Sequence, residues 1–341
     1  MSKHHHHRRL RWDRVAMAAG CTVLVLSLLG WGVHTMVAPD DGLDEPATAA
    51  KAETDASAET TGSSAASTSA AKTATVKKAA ATTALTAAQV TQRQQSIRTK
   101  LAAYLKEVGA SGNVAVSFYN LSPTADSAAA KARTAAVYQQ GALAASVNGT
   151  TSWTAASTYK LYITAYLFHQ VESGARTWTS EDETGFTNMI VNSANEYGEA
   201  QLYRYGATAM NAYFASLGIV SPVFGNGIAK TTANDLVTML RRIALRQAPF
   251  ANASLASKLT GDMATQVYRD GIPAAVASLT PKAVVQDKVG WLESTDNDAA
   301  IVTLPNGQRY LLAVLTTNQD YMDWSLVQTV ATRVQQIVYG D

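Results

Sequence analysis

Ser157-Thr158-Tyr159-Lys160 places a hydroxyl and an amine three residues apart at the start of a strongly apolar run that extends to Val171. The composition of this run predicts a buried helix, and one helical turn puts Ser157 and Lys160 on the same face. A serine becomes a nucleophile when a neighbouring base takes its proton, and apolar surroundings lower the pKa of a lysine toward that task. The pair is a candidate nucleophile with its own base. The alternative is a helix N-cap and a surface lysine.

The N-terminus has the pattern of a membrane anchor. Residues 1–14 form a basic tail with a net charge of +4, and residues 15–37 form an apolar stretch, followed by acidic residues. The length and flanking charges predict a transmembrane helix with the tail in the cytoplasm and the remaining chain outside. A cleaved signal peptide is the alternative, but the stretch is long for one, and Ala38-Pro39 is a poor cleavage junction. We expect a single-pass protein of the cell membrane with an extracytoplasmic domain.

Residues 38–84 consist mainly of Ala, Thr, Ser and charged residues, with almost no large apolar side chains. Such a segment cannot bury enough apolar surface to offset its conformational entropy, so we predict a disordered linker. The spacing S-x-x-K recurs there at Ser69–Lys72, without the apolar context of Ser157. One domain of 257 residues, 85–341, follows the linker.

Charge and residue types exclude several classes of protein. The net charge is +2, and since the basic tail carries +4, the rest carries −2 and gives no sign of nucleic-acid binding. The only cysteine is Cys21, so the domain depends on a large core and not on disulfides. Its only histidine, His169, lies about 18 Å along a helix from Ser157, which excludes a Ser-His-Asp triad with that serine. We expect no metal, no organic cofactor and a monomer.

Strand patterns at both ends of the domain, with helical patterns between them, predict an α+β fold. Helical patterns cover residues 87–108, 157–265 and 324–339. Strand patterns cover residues 113–121, 142–153, 283–292, 298–304 and 310–317, and Asn148-Gly149 gives a turn signal within the second of these regions. We therefore predict one antiparallel sheet built from both ends of the domain, with an inserted helical lobe.

Two further motifs follow Ser157 in the chain. Ser193 and Asn195 stand at the end of a predicted helix, and Lys288-Val289-Gly290 lies in a predicted strand. With Ser157, these stretches resemble the S-x-x-K, S-D-N and K-T-G motifs of the serine β-lactamase and penicillin-binding protein superfamily. The resemblance covers the domain and is nearest to class A β-lactamases. It includes two flanking stretches, Arg269-Asp270-Gly271-Ile272-Pro273 and Asn297-Asp298-Ala299-Ala300.

The resemblance implies three catalytic residues. Ser157 would attack the acyl carbonyl, Lys160 would help to deprotonate it, and Ser193 would relay a proton to the leaving nitrogen. Taken alone, Ser193 and its neighbour Asn195 could equally cap a helix end.

The resemblance also implies a substrate-binding set. Asn195 would hold the substrate's side-chain amide, and Lys288 would attract the substrate carboxylate. Gly290 completes the third motif, and the backbone N–H groups of Ser157 and Trp291 would form the oxyanion hole. Taken alone, Lys288 could be a solvated charge on an edge strand.

The chain departs from the class A pattern at two places. Class A enzymes carry an Ω-loop glutamate that activates the hydrolytic water, whereas residues 200–234 here contain no Asp or Glu. Losing a general base costs about 10²- to 10⁴-fold, so we expect acylation with slow hydrolysis. Val289 replaces the threonine of K-T-G, which removes a hydroxyl expected to contact the substrate carboxylate, so restoring threonine should raise acylation.

Three functions are consistent with these observations. The first is a membrane-anchored, β-lactamase-like serine hydrolase that forms an acyl-enzyme on Ser157 with β-lactams or related acyl-peptide substrates. The second is a D,D-carboxypeptidase acting on cell-wall stem peptides. The third is a non-catalytic peptidoglycan-binding module that has kept the pocket without turnover.

Overall fold

The computed structural model describes residues 83–340. The basic tail, the proposed transmembrane anchor and all but the last two residues of the proposed linker lie outside the described residues. Within residues 83–340, no helix is both long enough and apolar enough to cross a membrane.

Ten α-helices lie within the described residues. They are α1 (Ala87–Gly109), α2 (Ala128–Lys131), α3 (Lys160–Glu172), α4 (Ser180–Val191), α5 (Glu196–Tyr205), α6 (Ala207–Ser216), α7 (Ala233–Ala244), α8 (Ala253–Ala264), α9 (Ile272–Leu279) and α10 (Ser325–Tyr339). Two 3-10 helices cover Ala135–Tyr138 and Ala156–Tyr159. The predicted first and last helices are therefore present within one residue of their expected ends.

Seven strands form two sheets. They are β1 (Val114–Leu121), β2 (Ala145–Val147), β3 (Trp153–Thr154), β4 (Lys230–Thr231), β5 (Val284–Leu292), β6 (Thr295–Thr303) and β7 (Arg309–Thr316). The main sheet is antiparallel with the order β2-β1-β7-β6-β5, and β3 pairs with β4 in a separate ribbon. The N-terminal strand β1 thus lies beside the C-terminal strand β7. This arrangement confirms the predicted α+β fold with a sheet built from both ends of the domain.

The main sheet separates two apolar cores. Alternate residues of β7 face opposite sides, with Leu311 and Ala313 in the core under the helical lobe and Leu312 and Val314 in the core under the terminal helices. All four side chains are fully buried. Burial on both faces explains why β7 reads as a continuous apolar run and not as an alternating one.

Helix α3 is the centre of the helical lobe. Every residue from Lys160 to Phe168 is buried, which confirms the prediction that the helix after Ser157 is enclosed on all sides. A polar amine in such a position needs hydrogen-bond partners, because burying an unpaired polar group is costly. The position of Lys160 is therefore set by the groups that surround its amine.

The predicted strand region at residues 142–153 contains two short strands, one on each side of the expected turn at Asn148-Gly149. The structure divides it into β2, in the main sheet, and β3, in the ribbon. Asn148 lies between them with a φ of 50°, and its side-chain amide donates to the backbone oxygens of Gly109 and Val114 at 3.1 and 2.9 Å. This anchored turn directs the chain away from the sheet and toward Ser157.

Candidate active site

Ser157 lies in a 3-10 helix directly before α3. The residue before it, Ala156, has a φ of 43°, a left-handed conformation that costs an L-residue roughly 1–3 kcal/mol. Asn297 on β6 fixes the approach to this turn, because its side-chain amide donates to the backbone oxygens of Thr154 and Ala155 at 2.8 and 3.2 Å. The strained turn is thus held against the sheet by a buried side chain.

Gly290 on β5 provides the space in which this turn sits. A Cβ atom at Gly290 would lie 2.5 Å from the backbone nitrogen of Ser157 and 2.7 Å from that of Thr158. Any larger residue would therefore force the backbone of the turn to move. The close approach also brings Trp291, the next residue of β5, beside the same cavity as Ser157.

The amine of Lys160 joins three of the predicted site residues. Its Nζ lies 2.8 Å from the Oγ of Ser157, 2.5 Å from the backbone oxygen of Ser193 and 2.8 Å from the Oδ1 of Asn195. The carbonyl and amide oxygens can only accept hydrogen bonds, so they take two N–H groups of the amine. In the neutral form of Lys160, the remaining lone pair can accept the hydrogen of the Ser157 hydroxyl. The arrangement is suited to general-base activation of the serine.

Burial sets the charge state of Lys160. The side chain has no exposed surface, and burial lowers the pKa of its amine from 10.5 to about 8. The negative charges of Glu199 and Glu196 oppose this shift. An appreciable part of the amine is therefore neutral near neutral pH, as a general base must be.

Ser193 lies between two buried lysines. Its Oγ is 3.4 Å from the Nζ of Lys160 and accepts a hydrogen bond from the Nζ of Lys288 at 3.0 Å. Lys288 also donates to the Oε1 of Gln266 at 2.8 Å and to the backbone oxygen of Val289 at 2.9 Å. Burial, together with the charge of Lys160, lowers the pKa of the Lys288 amine to about 7. The hydroxyl of Ser193 is thus placed to exchange protons with both amines.

The full burial of Lys288 bears on its predicted role. The side chain has no exposed surface, and its amine has three acceptors for three N–H groups. In this arrangement it acts on the space beside Ser157 through the hydroxyl of Ser193. Direct attraction of a substrate carboxylate by Lys288 stays a prediction.

Gln266 is a site residue that the sequence motifs did not reveal. Its Oε1 accepts from Lys288 and from the backbone nitrogen of Val289 at 3.2 Å, and its Nε2 donates to the carboxylate of Asp287. Asp287 in turn forms an ion pair with Arg269 at 3.0 Å. The motifs gave no signal for Gln266, because it belongs to another segment of the chain that folding brings against β5.

A cavity of about 220 Å³ opens beside Ser157. Polar and apolar side chains share its wall, namely Ser157, Asn195, Glu199, Tyr159, Ile228, Trp291 and Leu292, together with Ala156 and Ala229. Within the described chain, Glu199 is the only acidic residue that lines this cavity. The indole nitrogen of Trp291 donates to the hydroxyl of Tyr321 at 2.9 Å, which fixes one side of the wall.

The loop before β4 forms another side of this cavity through Ile228 and Ala229. Asp235 on α7 holds the start of the loop, since its carboxylate accepts from the backbone nitrogens of Val220 and Ser221 at 3.0 and 3.1 Å. No Asp or Glu occurs within residues 217–229 of this loop. The loop therefore shapes the cavity without contributing a carboxylate.

Val289 does not face this cavity. It is fully buried and packs in the core under the terminal helices, which also contains Ile272 and contacts Trp291. Val289 has no exposed surface and is not among the residues that line the cavity, which argues against the expected contact between a hydroxyl at this position and the substrate carboxylate. The physical reason is the alternation of β5, which turns Lys288 and Gly290 toward the nucleophile turn and Val289 away from it.

His169 has a packing role in the last turn of α3. Its ring stacks on that of Tyr213, with the centroids 4.0 Å apart. Within residues 83–340, no three His, Cys, Asp or Glu side chains are grouped so that they could hold a metal ion.

The structure brings the predicted site residues together. Hydrogen bonds connect Ser157, Lys160, Ser193, Asn195 and Lys288. Of the remaining two predicted residues, Gly290 packs against the nucleophile turn and Trp291 lines the cavity beside it. Their individual roles in catalysis and binding stay predictions.

Part of the chain matches a known family. Residues 183–339 match the family model Beta-lactamase2, described as the β-lactamase enzyme family. The matched region contains Ser193, Asn195 and Lys288 and begins after Ser157 and Lys160. No curated protein matches the sequence.

Several solved structures share the fold. A structure of PBP-A has a TM-score of 0.56 and 21% identity, covering 72% of this chain and 95% of that one. A class A β-lactamase from Bacteroides cellulosilyticus has a TM-score of 0.56 and 16% identity, covering 72% of this chain and 99% of that one. A β-lactamase from Sphaerobacter thermophilus has a TM-score of 0.54 and 18% identity, covering 70% of this chain and 95% of that one. The predicted resemblance to serine β-lactamases and penicillin-binding proteins is confirmed, and the fold is theirs.

Proposed function

We propose that this protein is a membrane-anchored, extracytoplasmic serine hydrolase that forms an acyl-enzyme on Ser157 with β-lactams or related acyl-peptide substrates. The observation that carries the proposal is the buried amine of Lys160, 2.8 Å from the Oγ of Ser157. A non-catalytic binding module has no need of a strained serine turn, a lysine with a lowered pKa and a second buried lysine behind it. The family match and the shared fold support the same class of protein.

Acylation begins when neutral Lys160 accepts the proton of Ser157. The Oγ of Ser157 then bonds to the carbonyl carbon of the substrate, and the carbonyl oxygen takes the negative charge. The backbone N–H groups of Ser157 and Trp291 stabilise that charge, which is commonly the largest single catalytic contribution. The scissile C–N bond then breaks, and the leaving nitrogen takes its proton from Ser193. Lys160 returns a proton to Ser193, and Lys288 holds that hydroxyl in place.

The location of the enzyme is part of the proposal. Residues 15–37 anchor the chain in the cell membrane, and residues 38–84 let the domain reach substrate outside it, as a monomer. The support is the sequence pattern of an apolar stretch between basic and acidic flanks.

A D,D-carboxypeptidase is the second candidate, because residues 200–234 lack the carboxylate that would assist rapid hydrolysis. A mutant of PBP-A, which shares the fold, has been solved as an acyl-enzyme complex with penicillin G, and this supports acylation in both candidates. Both candidates share acylation of Ser157 and differ in the acyl donor that is released quickly.

The test is the intact mass of the full chain, purified in detergent, after addition of penicillin G. We expect one penicillin adduct on the wild type and on Ser152→Ala, an exposed serine near the site, and none on Ser157→Ala. An adduct on Ser157→Ala, or none on the wild type, would overturn the proposal. Product release from a cephalosporin and from a D-Ala-D-Ala peptide then separates the two candidates.

A further inference from the structure

Hydrolysis of an acyl-enzyme needs a base for the attacking water. The loop before β4 supplies none, because residues 217–229 contain no Asp or Glu. One carboxylate nevertheless lines the cavity beside Ser157, and it comes from α5. This residue is Glu199, which lies outside the three sequence motifs.

Glu199 is placed by the same helix that carries Asn195. Asn195 stands at the N-cap position of α5, and the backbone nitrogen of Glu199 donates to the backbone oxygen of Asn195 at 2.9 Å. Residues four apart lie on one face of a helix, so the two side chains point to the same side. Both line the cavity that contains Ser157, together with Ile228 and Ala229.

We infer that Glu199 is the general base that activates water for hydrolysis of the acyl-enzyme on Ser157. This inference rests on the proposed function and assigns the deacylation step of the same site. Glu199 is exposed and lines the cavity that contains Ser157, so its carboxylate is open to solvent water. A carboxylate that borders both solvent and the acylated serine can take a proton from water without being desolvated itself.

The electrostatics of the site are consistent with this placement. The charge of Glu199 is the largest one opposing the lowered pKa of Lys160, and it also contributes to the raised pKa of Tyr159. Glu196, one turn earlier, contributes less to both groups and does not line the cavity. The two glutamates therefore form a matched pair that differs in access to the cavity.

The step balances as a hydrolysis. The carboxylate of Glu199 takes one proton from water, and the water oxygen bonds to the carbonyl carbon of the ester. The bond between that carbon and the Oγ of Ser157 then breaks, and the released Oγ takes a proton. That proton comes from Glu199 directly or through Lys160, which restores the free enzyme and releases a carboxylic acid product.

The experiment measures the two half-reactions separately on the full chain in detergent. The rate of adduct formation with penicillin G is followed by quenched intact mass, and the loss of adduct is followed after the free drug is removed. We expect Glu199→Gln to form the adduct at least as fast as the wild type, because loss of its charge lowers the pKa of Lys160 further, and to lose the adduct about 10²- to 10⁴-fold more slowly. Glu196→Gln should lose the adduct as fast as the wild type.

Chemical rescue gives a second readout that a structural role would not produce. Added formate should speed adduct loss from Glu199→Ala and leave Glu196→Ala unchanged, because the vacated position can hold a small carboxylate. Equal adduct lifetimes in the wild type and Glu199→Gln would overturn the inference and leave the acyl-enzyme proposal standing, with Lys160 as the remaining base. A wild type that forms no adduct would overturn both.

Discussion

The pH dependence of acylation follows from the position of Lys160. The pKa of its amine is lowered to about 8 by burial, and only the neutral amine, which predominates above that pH, can accept the proton of Ser157. The neutral fraction is about 1% at pH 6, about 10% at pH 7, about half at pH 8 and about 90% at pH 9. We therefore expect the rate of acylation to rise roughly 90-fold between pH 6 and pH 9.

The assay is rapid quenching with acid at each pH, followed by intact mass at saturating penicillin G. Lys160→Gln should lower the rate about 10²- to 10⁴-fold and remove the rise near pH 8. The control is Lys230→Gln, an exposed lysine that donates to the Oγ1 of Thr154 and should keep the wild-type profile. Glu196→Gln should move the midpoint to lower pH, because a negative charge that raises the pKa of Lys160 is removed.

Two results would refute this reasoning. One is a wild-type rate that does not change between pH 6 and pH 9. The other is a rise near pH 8 that persists in Lys160→Gln, which would assign the titration to another group. Lys288, with a pKa of about 7, is the nearest such group, and its own step would lie at lower pH.

Two further substitutions on β5 test the nucleophile turn and the core behind it. Gly290→Ala places a methyl group 2.5 Å from the backbone nitrogen of Ser157, so the turn must shift, and we expect acylation by penicillin G to fall about 10²-fold, as measured by intact mass. A wild-type rate in that variant would show that the close approach is not needed. Val289→Thr places a hydroxyl in a fully buried apolar position, so we expect the free energy of unfolding in urea to fall by about 1–3 kcal/mol without any gain in acylation. Faster acylation at unchanged stability would instead restore the expectation that this side chain contacts substrate.

Local patterns in the sequence were sufficient to predict most of the fold. The strand patterns at residues 283–292 and 310–317 differ from β5 and β7 by one residue at most, because an apolar run bounded by turn residues is a local signal. The sequence predicted strands and a turn within residues 142–153, but not that the two strands join different sheets, because the partner of β3 is β4, a strand formed by Lys230–Thr231. Pairing between segments so distant in the chain leaves no trace in local periodicity.

Part of the candidate active site could also be predicted from local sequence patterns. Ser157 and Lys160 could be predicted from their spacing and from the apolar run that follows them. The contact between Lys288 and Gln266 could not, because it depends on how α8 packs against β5. The burial of Lys288 could not be predicted from the sequence either. An alternating strand pattern shows which residues share a face of the sheet, but not how deeply that face is buried. Glu199 carried a usable signal, since it stands one helical turn beyond Asn195.

The pairing of β1 with β7 has a consequence for how the chain reaches its native state. The register joins Val114 to Thr316 and Leu121 to Arg309, and both strands lie in the interior of the sheet order. A polypeptide synthesised from its N-terminus presents β1 long before its partner exists. The pairing of β1 with β7 therefore forms only after nearly the whole domain has been synthesised. A chain that stops before Arg309 lacks β7, so the sheet loses a central strand and not an edge strand. Such long-range closure favours slow folding, during which β1 has an unpaired edge.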